Sequence, residues 1–501
     1  MGLLHLIPTL VLFVAPSIAA SIARETSPSN GSVWPQEIAT EVYGPEWPGF
    51  ANATERWSAY EAPTFNEVFI PQTPQDLSLG LRHLSDTGRQ WLALSGGHGY
   101  SPTLRVIQDA VLINLRNFTY SRVNGDNTLT VGTGSRFRDI ITTAYNADRE
   151  LTVGNCPCVG ALGAMLGGGL GRLQGLHGLT SDALREIKMV LWDGTLVTAS
   201  DKVNQELFWG MRGAGQNFGI VYEATFETFA QNSGGNHYVA DFLVSPENLT
   251  AAMDVTNSLL ETDPALAIAT IFQNDPRTDT TGILINIVYA GPAEQGRAIA
   301  SLYEPLALSM PTDTVVPWPQ VASTALLGGF DLDQNCTLSG GKIDQYSVLV
   351  RDLPPAVYSE MFESFTTFVR ENPLASTSAV LIESFGEGAI NALPADYSAF
   401  PHRHFFANAV AIAASWTDDA VEEAADAWAV EWRNRLARPE VSGYDELHVY
   451  QNYANDDEPL SALYGFDDAR HKRLTALKKK YDPRGHFDGY HAIPRNLANW
   501  S

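Results

Sequence analysis

Cysteine is scarce: Cys156, Cys158 and Cys336 are the only three in 501 residues. A disulfide framework is thereby excluded, one bridge is the most the chain can form, and at least one sulfur needs another role. Basic residues are short as well, with 32 Lys and Arg against 57 Asp and Glu and a formal charge of -25. Phosphate affinity rests on counterion release by Lys and Arg, so nucleic acid and anionic membrane surfaces are not expected partners. No internal repeat or low-complexity tract interrupts the chain. Zinc sites want two spaced cysteine pairs or added histidines, and Cys336 is the only thiol besides Cys156-Pro157-Cys158, so no metal site is expected.

What is present is a 45% hydrophobic composition over a length too great for one ordinary domain, which predicts two cofolded units. The N-terminus runs from Leu3 to Ala20 without a charged residue, is broken by Pro8 and Pro16, and ends in Ser17-Ile18-Ala19-Ala20. Residues 1–20 read as a signal peptide, since two prolines and so short an apolar run argue against a stable membrane span. Myristoylation fails because position 6 is Leu where Ser or Thr is required. Glycosylation triplets at Asn30, Asn52, Asn117, Asn248 and Asn335 agree with the secretory route. A secreted protein without a membrane anchor is the expectation.

Glycine clusters and short β-like runs such as 110–113 and 129–131 fill a first unit, residues 64–232. The turn-rich Asn232-Ser233-Gly234-Gly235-Asn236 marks its end. Residues 233–445 carry longer apolar strands near 265–272, 282–290, 378–385 and 405–416, with amphipathic helical patterns near 355–370 and 418–436. The class is α+β, the second unit an antiparallel sheet covered by helices. Along 405–416, Phe406, Asn408, Val410, Ile412 and Trp416 share one face and Ala407, Ala409, Ala411 and Ala413 the other. The small face is expected under a helix and the large face beside a ligand cavity. Residues 446–501 form a C-terminal segment ending in a helix and the turn signal Tyr481-Asp482-Pro483-Arg484-Gly485.

Three constellations carry the chemistry. Ser95-Gly96-Gly97-His98-Gly99-Tyr100 follows the apolar run 91–94, where a strand gives way to a tight turn that lets backbone N–H groups approach an anion. Gly154-Asn155-Cys156-Pro157-Cys158-Val159-Gly160 leads into Gly163 and then Gly167-Gly168-Gly169, a backbone kept thin for something large and flat, such as a dinucleotide. Gly178-Leu179-Thr180-Ser181-Asp182 and Glu206 through Gly219 to Ile220 add further glycine around aromatic residues.

In this order the motifs resemble the berberine-bridge-enzyme-like family, with an FAD domain of the vanillyl-alcohol-oxidase (PCMH) type, over most of the chain from about Phe65 onward. The resemblance implies FAD bonded at its 8α carbon by His98 and at C6 by Cys156, leaving Cys158 as an extra buried thiol. It implies cofactor contacts from Ser95, Gly96, Gly97, His98, Gly99, Cys156, Gly160, Gly163, Gly167, Gly168, Gly169, Asp182, Gly219 and Ile220. Asn452 and Tyr453 join them from Tyr450-Gln451-Asn452-Tyr453, in a segment returning to the FAD domain. Position 397 is Tyr where plant alkaloid-forming members tend to be acidic, so their catalytic base does not carry over. Residues 161–164 lie where relatives control oxygen access.

Removing hydrogen from an alcohol or activated C–H needs a base beside the flavin. By analogy with sugar-oxidising relatives this is Tyr453, tuned by a neighbouring charge, with Asp396 and Tyr397 as lesser candidates. His402 and Arg403 are expected to close a turn. The strands of the second unit are punctuated only by Gln273, Asn286, Glu383 and Asn408, which favours a small, largely apolar natural product as substrate and O2 as acceptor. A carbohydrate oxidase, a non-redox cyclase keeping FAD as a structural element, and a pure binding protein are the alternatives.

Overall fold

Two strand types and one long helix set up the first unit. The computed structural model describes residues 33–260, 262–275, 278–329, 341–405 and 408–500; the signal peptide, Asn30, Asn335, Cys336, Phe406 and Ala407 lie outside them. All five residues of Ala110–Asn114 are buried, as a strand with parallel neighbours requires, and it pairs in parallel with Phe65–Phe69 and Trp91–Leu94. The crossover helix Pro74–Thr87 starts at a capping box between Thr73 and Asp76, has Pro74 in its first turn, and stops at Gly88 with φ 66°. A second sheet is antiparallel, in the order Ser121–Val123, Leu129–Gly132, Ile220–Phe226, Leu184–Val190, Leu196–Ser200.

The turn at Asn232–Gly235, with Gly234 and Gly235 at positive φ, delivers the chain into a seven-stranded antiparallel sheet. Its order is Ala307–Pro317, Asn236–Val244, Thr280–Tyr289, Leu266–Asp275, Ala379–Phe385, Asn408–Trp416, Lys342–Val350. Helices Leu249–Leu259, Pro355–Glu371 and Glu422–Leu436 cover one face, the last two with an aromatic layer. Phe272 meets Phe362 edge-on at 5.2 Å and Phe368 stacks on Trp428 at 4.8 Å. Val380, Ile382, Val410 and Ile412 are buried in the same core.

The opposite face corrects an expectation. Register places Leu349, Ala409, Glu383, Ala269, Asn286 and Asp241 in one row across the sheet, and Ser347, Ala411, Leu381, Ile271 and Leu284 in the next. Ala409 packs with Leu170, Leu179, Phe400 and Tyr450, all outside the sheet. The alanine face therefore looks toward the glycine loops, and the large face carrying Val410 and Ile412 lies under the helices. Small residues on this strand leave room for a ligand instead of making room for a helix. Ile271 and Leu381, opposite one another on the two central strands, are only half-buried, which marks an open cleft above them.

The C-terminal segment docks back on the first unit. Asn452 Nδ2 donates to the Ala164 carbonyl at 2.8 Å and Tyr450 Oη accepts from Gly169 N at 3.0 Å. In helix Asp468–Tyr481, buried Lys478 pairs with Asp482 at 2.7 Å. Among the described residues no helix is long and apolar enough to cross a membrane.

Candidate active site

The first two glycine loops touch. A side chain on Gly96 would overlap the Gly160 backbone, and one on Gly160 would overlap Ser95 Oγ and Gly96 N. This approach, open only to glycine, brings His98 and Cys156 to one neighbourhood, and Arg136 acts on both. Burial, reinforced by Arg136, pushes His98 down to about 4, so its imidazole is neutral. Its Nε2 is buried without a hydrogen-bond partner, and Trp57 lies 6.1 Å from its ring at 21°. Cys156 is a free thiol and half-buried; burial pushes it up while Arg136 pulls it down.

Cys158 is fully buried but disulfide-bonded, which corrects the expectation of a spare thiol.

The thin backbone continues at Gly167, Gly168 and Gly169. Side chains there would overlap Asn452, Phe400 and Thr180, and Gly168 and Gly169 have φ of 128° and 84°. Gly97 also has positive φ, at 77°. Gly163, within helix Ala161–Leu166, differs: a side chain there would meet nothing, so close approach of protein does not explain it. Gly219 abuts Met189 and Val190, and Ile220 opens a buried strand. Ser95 Oγ donates to the Thr133 carbonyl at 2.6 Å, and the Gly99 carbonyl accepts from Arg56. A neutral imidazole with an unused nitrogen, a free thiol in the neighbouring loop and a cradle without side chains fit an FAD.

Asp182 is otherwise engaged. Its two oxygens hold buried Arg403, and Oδ2 also accepts from Leu179 N at 3.0 Å. Arg403 further donates to Ile390 O and Ser398 Oγ, fixing the turn as expected of it. Arg403→Met leaves the Asp182 carboxylate buried and unpaired. A loss of about 3–5 kcal/mol in unfolding free energy is expected in denaturant titration.

On the sheet side stands a residue that periodicity alone treats as mere punctuation. Glu383, 2% exposed, accepts from Tyr453 Oη at 3.0 Å through one oxygen and from Asn155 Nδ2 at 2.7 Å through the other. Burial pushes its carboxyl up to about 7, with Tyr453, Arg172 and Asn155 acting in the opposite direction. Burial first, then Glu383, holds the Tyr453 phenol well above its ordinary value. Asn155 directly precedes Cys156, so one side chain ties the carboxylate to the thiol loop. Tyr450 meets Tyr453 edge-on at 5.0 Å, Tyr100 Oη donates to the Asn452 carbonyl at 2.8 Å, and Gln345 Nε2 donates to Tyr100 Oη at 2.6 Å. The available signal was an acid inside the apolar run Val380 to Phe385, since a buried carboxylate is costly unless a site requires it.

Asp396 and Tyr397 are not brought into this group. They line a separate cavity of about 420 Å3 with Phe208, Trp209, Arg212 and Arg473. The Asp396 carbonyl accepts from Trp209 Nε1 at 2.8 Å, and Arg212 lies 4.5 Å over the Tyr397 ring. The reason is topological: both follow helix Gly388–Asn391, beyond the end of the strand that carries Glu383.

Residues 66–200 match the FAD binding domain family and residues 449–494 the berberine and berberine-like family, which defines a flavoprotein. An FAD-linked oxidoreductase of Pyricularia oryzae is 35% identical over 90% of this chain and 88% of its own, and another of Neurospora crassa is 33% identical over 91% and 90%. The chain thus belongs to the berberine-like family of FAD-linked oxidoreductases, and it is an enzyme. The fold is also that of glucooligosaccharide oxidase from Acremonium strictum, with a TM-score of 0.75 and 20% identity over 90% of this chain and 96% of that one. The FAD of that oxidase is 6-S-cysteinyl, 8α-N1-histidyl.

Proposed function

We propose that this enzyme is an oxidase holding FAD through both His98 and Cys156, and that it removes hydrogen from an alcohol or activated C–H of a small, largely apolar natural product. The observation that carries the reading is the contact of Tyr453 with Glu383 beside the thiol loop. Bound FAD supplies the two-electron acceptor. As the substrate O–H releases its proton, Tyr453 Oη takes it and passes its own to Glu383, so no free tyrosinate forms and the proton ends on a carboxylate poised near 7.

The cleft favours an apolar body. Ile271, Leu381 and Ala411 floor it, and the Asn286 and Asn408 amides on the strands are already committed. Asn286 bonds Asp241 and the Ala240 carbonyl, and Asn408 bonds the Val350 and Arg351 carbonyls. A sugar would need free polar groups there.

Anaerobic titration with hydrophobic alcohols is expected to bleach the flavin spectrum. Admitting O2 then restores it, with one hydrogen peroxide formed per alcohol consumed. Product formation without bleaching would favour the cyclase reading, and bleaching by oligosaccharides alone the carbohydrate oxidase. Passage through the secretory route is supported by the disulfide at Cys158. Asn52 is exposed, whereas the amides of Asn117 and Asn248 donate to the Pro71 and Leu306 carbonyls. Among these three, Asn52→Gln is expected to remove the largest glycan signal in a peptide map of the secreted protein.

A further inference from the structure

Arg172 ends the glycine run and enters the junction between that loop and the seven-stranded sheet. It is 8% exposed, and its side chain makes one hydrogen bond, Nη2 to Asn286 Oδ1 at 3.1 Å. Its Nε is buried without a partner, and among the described residues no carboxylate lies within ion-pair distance. A buried guanidinium left so is costly.

The two carboxylates that act on Arg172 are Glu383 and Asp241, and both are committed elsewhere. Glu383 serves Tyr453 and Asn155. Asp241 accepts from Leu326 N, Leu327 N and Asn286 Nδ2. Asn286 stands between Asp241 and Arg172 as a spacer, giving its nitrogen to one and its oxygen to the other. His237, on which Arg172 and Glu150 both act, is also buried with both ring nitrogens unpartnered, so this corner holds unmatched polar groups.

We propose that Arg172 binds a carboxylate of the substrate. Asn286 and Glu383 both register on Ala269 of the strand between them, so they stand two strand spacings apart, about 10 Å. A carboxylate held at Arg172 would therefore place the oxidisable carbon about one aromatic ring away, at Tyr453. The substrate class becomes an apolar, ring-sized hydroxy acid. The position of the reacting carbon rests on the proton-accepting reading of Glu383 and Tyr453; the anion contact itself does not.

The flavin-loaded enzyme is titrated with benzoate and with benzamide, probes of equal shape, while flavin absorbance is followed. Benzoate is expected to bind at least about tenfold more tightly, as a charge-assisted contact provides. Arg172→Met abolishes the preference and Arg172→Lys keeps part of it, with flavin content unchanged. Equal affinity for the two probes, no spectral response to either, or a preference surviving in Arg172→Met overturns the proposal. So does loss of bound flavin in both variants, which would give the cation to the cofactor. Should Arg172→Met not fold, the wild-type comparison and Arg172→Lys still decide. A benzoate preference kept in Glu383→Gln, whatever its turnover, separates this contact from the proton-acceptor reading.

Discussion

Glu383→Gln is expected to lower kcat by about 10²–10⁴-fold, the range for removing a positioned proton acceptor, while flavin content stays at the wild-type level. Glutamine preserves the shape of the site. Asn155 can turn its Oδ1, now buried without a partner, toward the new amide, so the thiol loop keeps its tie. The pH profile supplies the sharper readout. The acceptor works only as carboxylate, so wild-type kcat rises with pH through about 7, and the variant loses that limb. Stability runs the other way. A carboxyl whose folded value exceeds its ordinary value of 4.5 takes up a proton on folding. Its contribution is complete below 4.5 and is lost as pH rises through about 7. Glu383→Gln should flatten that decline in denaturant titrations across the same window. An unchanged kcat, or a profile that keeps its limb, would remove Glu383 from the mechanism.

The second large effect concerns attachment. His98→Ala and Cys156→Ala are each expected to leave flavin in the acid-precipitated protein, held by the remaining bond. The double variant should release all of it to the supernatant. The two sites are not equivalent chemically. His98 is already neutral, with an unused nitrogen, whereas the Cys156 thiol is pushed up by burial and must lose its proton to react. Arg136, acting on both, favours the thiolate. Arg136→Met should therefore slow attachment at Cys156 more than at His98, read as the ratio of the two flavin peptides during reconstitution.

The glycine loops were legible because their requirement is local. Gly96 and Gly160 can approach only without side chains, and such needs are written as glycine in sequence. The α+β class was legible for a similar reason, since period-two runs such as 379–385 declare strands. The contact of Tyr453 with Glu383 was not. Glu383 gains meaning only when Asn155 and Tyr453, from two other parts of the chain, arrive on its two oxygens. Periodicity separated the alanine face of Asn408–Trp416 from the large face, yet it carries no sign, and which face meets helices depends on packing across the whole sheet. Tyr397 drew attention because it stands where plant members of the family tend to be acidic, but the chain turns away from the cleft before reaching it.

The most direct measurement of flavin attachment is the mass of the flavin-bearing peptides from proteolysed wild-type enzyme. The expected species is one FAD joining a peptide that contains His98 to a peptide that contains Cys156. Two unmodified peptides, with FAD recovered free after acid treatment, would contradict it.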